Sequence, residues 1–157
     1  MIFVILGTQK FQMNRLIKLM DSISGRLDMP VVAQIGQSDY KPKNFEFHRF
    51  LDKSEFDGLI AEAELIITQG GVGAVMTALN YKKPVIIVPR LAKYGEHVDD
   101  HQREIALAFA KKGFVLCCDD GDNLEELIKE CKIRSFSEYK SGTDNITRII
   151  DVYLDGI

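Results

Sequence analysis

Tryptophan is absent from this chain, proline occurs four times and cysteine three times, as Cys117, Cys118 and Cys131. An odd cysteine count with one adjacent pair makes no disulfide framework and points to a reducing compartment. No C-x-x-C spacing is present to suggest zinc. A basic surplus is missing as well. Lys and Arg number 20 against 23 Asp and Glu, for a formal net charge of -3, which argues against nucleic acid as a partner. No run approaches the roughly 18 apolar residues of a membrane helix. The apolar opening from Ile2 to Leu6 stops at Gly7 and lacks a basic leader, so it does not read as a secretory signal. There is no G-K-S or G-K-T phosphate loop. The loop after the first apolar run holds one glycine, not the three of a dehydrogenase fingerprint.

What is present is a chain of 157 residues, 46% apolar and 27% charged, which suits a single domain spanning 1–157. Continuous apolar or β-branched runs predict buried strands at Ile2–Leu6, Val31–Ile35, Phe45–Phe50, Leu65–Thr68, Pro84–Val88 and Phe114–Cys118. Helical spacing predicts helices over Phe11–Ile23, Ser54–Ala63 with Ser54 as N-cap, Gly73–Tyr81, Val98–Lys112, Asn123–Cys131 and Asp144–Leu154. Strands alternating with helices mean an α/β fold, a Rossmann-like parallel sheet flanked by helices. In such sheets ligands bind beyond the carboxyl ends of the strands. The loops at Gly7-Thr8-Gln9, Gly36-Gln37, Gln69-Gly70-Gly71 and Arg90–His97 all fall on that edge.

Two of these loops carry the chemistry. Gly70-Gly71-Val72-Gly73-Ala74 lies between a buried strand and a helix. Glycines let backbone N–H groups approach a phosphate, and a helix N-terminus attracts an anion. The competing reading is a tight turn that needs glycine for packing alone. The second loop gathers Glu96, His97, Asp99, Asp100, His101 and Gln102, donors and acceptors suited to sugar hydroxyls. The competing reading of Asp99 or Asp100 is a helix cap alone. His97 and His101, with Asp100 as a third ligand, have metal-like spacing, but nothing else supports a metal. Arg90 suits either a phosphate contact or an ion pair within its loop. Lys10 reads as a solvated surface charge, Cys117 and Cys118 as small core fillers, and His48 as structural.

The stretches TQGGVGAVMTAL, KKPVIIVPR and DDHQREIALAFAKKGF resemble the C-terminal half of GT-B glycosyltransferases of family 28. Among them the likeness is to small stand-alone versions of that half. These are the catalytic subunit of the dolichol-linked N-acetylglucosamine transferase and the subunits of bacterial capsule and exopolysaccharide transferases. The resemblance implies a UDP-sugar as donor substrate, with no separate cofactor. It places Gly7, Thr8 and Gln9 against the diphosphate and sugar, and Gly70, Gly71, Val72, Gly73 and Ala74 at the phosphates. Thr77 falls at the ribose, Arg90 and Leu91 near the uracil, and Asp100, His101 and Gln102 at the donor sugar. His97 and Asp99 are the candidate bases for an inverting transfer.

Two positions depart from that pattern. The family often has His where Gln69 stands, and commonly Glu where Thr77 stands. Losing a charged contact to ribose costs on the order of 1.5–3 kcal/mol. The acceptor-binding half of a GT-B enzyme has no room in this chain. The resemblance therefore implies a membrane-associated partner subunit, a lipid-linked acceptor, a cytoplasmic location at the membrane through that partner, and self-association when the chain is alone. The alternatives are a non-catalytic, partner-stabilising subunit and another nucleotide-sugar enzyme such as an epimerase.

Overall fold

A computed structural model describes residues 1–7 and 10–139. Six strands form one sheet: β1 Ile2–Ile5, β2 Val31–Gln34, β3 Glu46–His48, β4 Leu65–Thr68, β5 Val85–Ile87 and β6 Leu116–Cys117. Five helices connect and follow them: α1 Asn14–Ile23, α2 Lys53–Glu62, α3 Val72–Asn80, α4 His101–Lys111 and α5 Leu124–Ile133. The strand order is β3-β2-β1-β4-β5-β6, and every pairing is parallel. This is the doubly wound order whose direction reverses between β1 and β4, which opens a crevice at their carboxyl ends.

The side-chain alternation of β1 divides the core into two layers. Ile2 and Val4 face α1 and α5, packing with Leu16, Ile17, Met20, Leu124 and Ile128. Phe3 and Ile5 face α2, α3 and α4, packing with Ile60, Val75, Ala78, Ile105 and Phe109. All four β1 residues are buried, as expected of a strand covered on both faces.

Several boundaries differ from the sequence expectation. The first helix begins at Asn14, not Phe11, and the fourth at His101, not Val98. The preceding residues are drawn into the loops of the carboxyl edge. Helix α2 is capped by Asp52, whose carboxylate accepts the Glu55 N–H at 2.8 Å, and not by Ser54. A short 3-10 turn over Ala92–Tyr94 was not foreseen. The helix expected over Asp144–Leu154 lies outside the described residues, as do Thr8 and Gln9.

At the exit of β2, Gly36 has φ +57°, and a Cβ there would sit 2.7 Å from the Gly7 carbonyl oxygen. Backbone of one loop thus rests directly on backbone of the next. We expect Gly36→Ala to cost about 2–4 kcal/mol in urea unfolding, from left-handed strain plus overpacking. Gly25→Ala, with nothing within 4 Å of the new atom, should stay within about 0.5 kcal/mol of wild type. For the α2 cap, Asp52→Ala should lose about 1 kcal/mol, while Ser54→Ala changes stability by less than about 0.5 kcal/mol.

Candidate functional site

The crevice at the β1/β4 switch is a cleft of about 510 Å³ lined by Gly7, Gln34, Leu51, Phe56, Gln69, Gly71, Val72, Gly73, Ala74 and Thr77. Buried polar side chains form its floor. Gln34 donates through Nε2 to the Leu6 carbonyl at 3.0 Å and accepts the Leu51 N–H at 3.1 Å. The Thr68 hydroxyl donates to the Ile5 carbonyl at 3.0 Å. The Gln69 amide, oriented to satisfy both its ends, donates to Ile5 O and Thr68 Oγ1 and accepts the Gly7 N–H. The ends of β1, β2 and β4 are stitched together by side chains where the ladder has run out.

The glycines of the turn have different reasons to be there. A Cβ on Gly7 or Gly71 would lie 2.7 or 2.9 Å from the end of the buried Gln69 amide. Gly70 has φ +95° and would press on Ile87. These three satisfy the packing reading. Gly73 would meet nothing within 4 Å, is exposed, and borders the cleft in the first turn of α3. The N-cap of that helix is Gly71, with no side chain to cap it. The first-turn amides of Val72, Gly73 and Ala74 therefore face the cleft side with the positive end of the helix dipole behind them, the arrangement that holds anions.

Thr77 stands one turn further along α3. Its hydroxyl donates to the Gly73 carbonyl at 2.9 Å, so it offers a ligand only its lone pairs. Sequence reasoning missed Gln34, Leu51 and Phe56. They belong to β2, α2 and the loop before it, and only the sheet order brings them beside α3. Leu51 and Phe56 make that end of the cleft apolar.

The second loop runs from Pro89 to Asp100 on the other side of the edge. Arg90 and Leu91, expected beside a uracil, are 1% and 4% exposed. Both side chains are turned into the loop interior. Arg90 instead donates through Nη1 to the carbonyls of Phe11 at 2.7 Å and Glu96 at 3.2 Å. Burial pulls its guanidinium below the ordinary value, opposed by the Glu96 charge. Asp100 accepts the Ala92 N–H at 2.9 Å and closes the 3-10 turn.

Asp99 sits between two imidazoles. Its Oδ1 is 3.2 Å from His97 Nδ1, and its Oδ2 is 3.3 Å from His101 Nδ1. The same carboxylate accepts the His101 N–H at 3.0 Å. That backbone bond, with the two rings adding to it against partial burial, holds Asp99 below the usual carboxylate range. A carboxylate so stabilised is a weak base at neutral pH. The His97 ring lies 5.9 Å from that of Phe11. Gln102 is fully buried, and neither end of its amide has a partner. A native buried amide left empty on both ends calls for a physical reason.

The remaining candidates are inert. Burial pushes the thiols of Cys117, Cys118 and Cys131 up to about 12, 11 and 12, far from thiolate chemistry. His48 is half-exposed and pairs with Glu46 at 2.9 Å. Lys10 is exposed and lies over the Phe11 ring. Among the described residues, no group of three His, Cys, Asp or Glu is placed to hold a metal ion. None of the described helices is long and apolar enough to cross a membrane.

Residues 1–148 match the glycosyltransferase family 28 C-terminal domain. Over 78 residues the chain is 32% identical to the UDP-N-acetylglucosamine transferase subunit ALG13 of Cryptococcus neoformans, covering 48% of this chain and 36% of that protein. Over 128 residues it is 26% identical to the pyrophosphoryl-undecaprenol N-acetylglucosamine transferase of Prochlorococcus marinus, covering 78% of this chain and 34% of that protein. The chain spans about a third of the length of these relatives. Among solved structures it resembles the solution structure of ALG13, with a TM-score of 0.62 at 14% identity, covering 94% and 93% of the two chains. It also resembles the Methanocaldococcus jannaschii UDP-GlcNAc 2-epimerase, with a TM-score of 0.62 at 17% identity, covering 99% of this chain and 45% of that one. At such identities the likeness speaks for the fold, that of the C-terminal half of a GT-B enzyme. With nearly its whole length matched, the chain belongs to the glycosyltransferase family 28 C-terminal domain family.

Proposed function

We propose that this chain is the donor-binding, catalytic subunit of a two-component inverting glycosyltransferase. It moves a hexose or N-acetylhexosamine from a UDP-sugar to a lipid-linked acceptor in capsule or exopolysaccharide synthesis. The observation that carries this reading is the uncapped α3 N-terminus, with Gly73 facing open space at the switch-point cleft. The diphosphate lies on the amides of Val72, Gly73 and Ala74, which stabilise the charge that grows on it as the glycosidic bond breaks. The nucleobase packs against Leu51 and Phe56, and the ribose lies by Thr77. The sugar points across the edge toward His97.

In this reading His97 takes the proton from the acceptor hydroxyl as that oxygen attacks C1 and UDP leaves. Asp99 orients the imidazole and stabilises its cation. The acceptor site belongs to a membrane-associated partner subunit that closes over the carboxyl edge. The chain works on the cytoplasmic side of the membrane through that partner, and alone it self-associates through the uncovered edge. The ALG13 relative is itself a transferase subunit by description, which supports the two-component reading. The donor is the substrate, and no further cofactor is needed.

A second reading, a partner-stabilising subunit without catalysis, draws on Thr77, whose only donor is spent on Gly73. Calorimetric titration with UDP, UDP-N-acetylglucosamine, UDP-glucose, UDP-galactose and UDP-glucuronic acid separates the two. We expect one UDP-sugar to bind, and Gly73→Asp to abolish binding by setting a carboxylate among the phosphate amides. No binding by the chain with its co-purified partner would overturn the donor reading and favour the second. In the assembled enzyme, His97→Ala should lower kcat about 10²–10⁴-fold, the range for a lost general base. Asp99→Asn should leave substantial activity if the carboxylate only orients the ring. A loss equal to that of His97→Ala would make Asp99 an equal partner in the proton transfer.

A further inference from the structure

The loop beside the proposed sugar is fastened from below by buried charge. Glu96 is 3% exposed. Its Oε1 accepts from Arg15 Nη2 at 2.9 Å and from the Leu91 N–H at 3.0 Å, and its Oε2 accepts from Arg15 Nε at 3.0 Å. Arg15 lies in the first turn of α1 and also donates to the Pro89 carbonyl at 3.2 Å. Its guanidinium sits 4.9 Å from the centre of the Tyr94 ring. Arg90 closes the circuit by binding the Glu96 carbonyl on one side and the Phe11 carbonyl on the other. Two segments about 80 residues apart in the chain, 11–15 and 89–96, are thus joined through two guanidiniums and one carboxylate.

The core does not require this cluster, because both apolar layers close without it. Buried ion pairs return little net stability after desolvation, but they hold a geometry strongly, since removing one partner strands the other. What they hold here begins one residue further on. His97 follows Glu96 directly and packs near Phe11, whose carbonyl Arg90 grips. Asp99, His101 and Gln102 complete the same turn into α4.

We infer that Arg15, Glu96 and Arg90 are positioning residues for the sugar side of the donor site, resting on the donor-binding reading above. They touch neither diphosphate nor nucleobase, which sit on α3 and beside Leu51 and Phe56. Their loss therefore separates two affinities that a general loosening of the fold would lower together. Glu96→Gln keeps the volume and removes the charge. Arg15→Met keeps the packing of the part-exposed side chain and removes the fork. Arg15→Lys keeps the charge but not the bidentate geometry.

The test titrates UDP and the preferred UDP-sugar into wild type and these three variants, each checked by thermal melting. We expect Glu96→Gln and Arg15→Met to lose about tenfold or more in UDP-sugar affinity, about 1.4 kcal/mol, with UDP affinity within about twofold of wild type. Arg15→Lys should fall between. If UDP and UDP-sugar affinities fall in parallel, or neither changes, the positioning role is overturned. Should Glu96→Gln fail to fold, the partly exposed Arg15 variants decide. Wild type binding neither nucleotide, with its co-purified partner present, would overturn the donor reading itself, and the positioning role with it.

Discussion

The amide of Gln69 lies between the turns that end β1 and β4. It fills the space against which Gly7 and Gly71 carry no side chain, and it bonds to the end of β1. With Gln34 and Thr68 it satisfies carbonyls and amides that a parallel ladder leaves over at its carboxyl edge. A net hydrogen bond contributes about 1 kcal/mol, but a buried group left without a partner costs about 1–3 kcal/mol. The edge is therefore held open by groups that would be costly to strand. The cleft above exists because its floor is already complete.

That constraint also apportions the turn between architecture and chemistry. Three of its neighbouring glycines are explained by what they touch: Gln69 for Gly7 and Gly71, Ile87 and a left-handed backbone for Gly70. Gly73 touches nothing, so packing does not explain it. On the far side of the cleft, the electrostatic logic reverses. There the side chains expected to meet the nucleotide, Arg90 and Leu91, are buried, and the work of Arg90 is internal to the loops. Asp99 accepts the His101 N–H between two imidazoles and is held below the ordinary carboxylate range.

How much of this was legible in the sequence depends on how local the cause is. Strand β4 and helix α3 follow from an unbroken apolar run and a glycine turn within 16 residues, and both fall within a residue of expectation. The starts of α1 and α4 do not, because Phe11 and the 96–100 stretch are held by partners roughly 80 residues distant that no periodicity reports. The cap of α2 was misplaced by two residues because Asp52 and Ser54 are both good N-caps, and only backbone geometry chooses between them. The glycine turn could be read from spacing. The apolar wall of Leu51 and Phe56 needed the strand order, since β3 lies two strands away from β1 while α2 returns toward the cleft.

The bare N-terminus of α3 has a thermodynamic side. A helix that starts on glycine lacks the side-chain oxygen that elsewhere in this chain comes from Asp52 or Asn123. In the proposed donor-bound state, an anion in the cleft supplies that missing cap from outside. The helix is then partly folded by its own ligand, and occupancy and melting temperature are linked by mass action. On the donor-binding proposal, any small oxyanion that fits those amides draws on the same coupling, so phosphate or sulfate in a buffer would both stabilise the domain and compete with the donor.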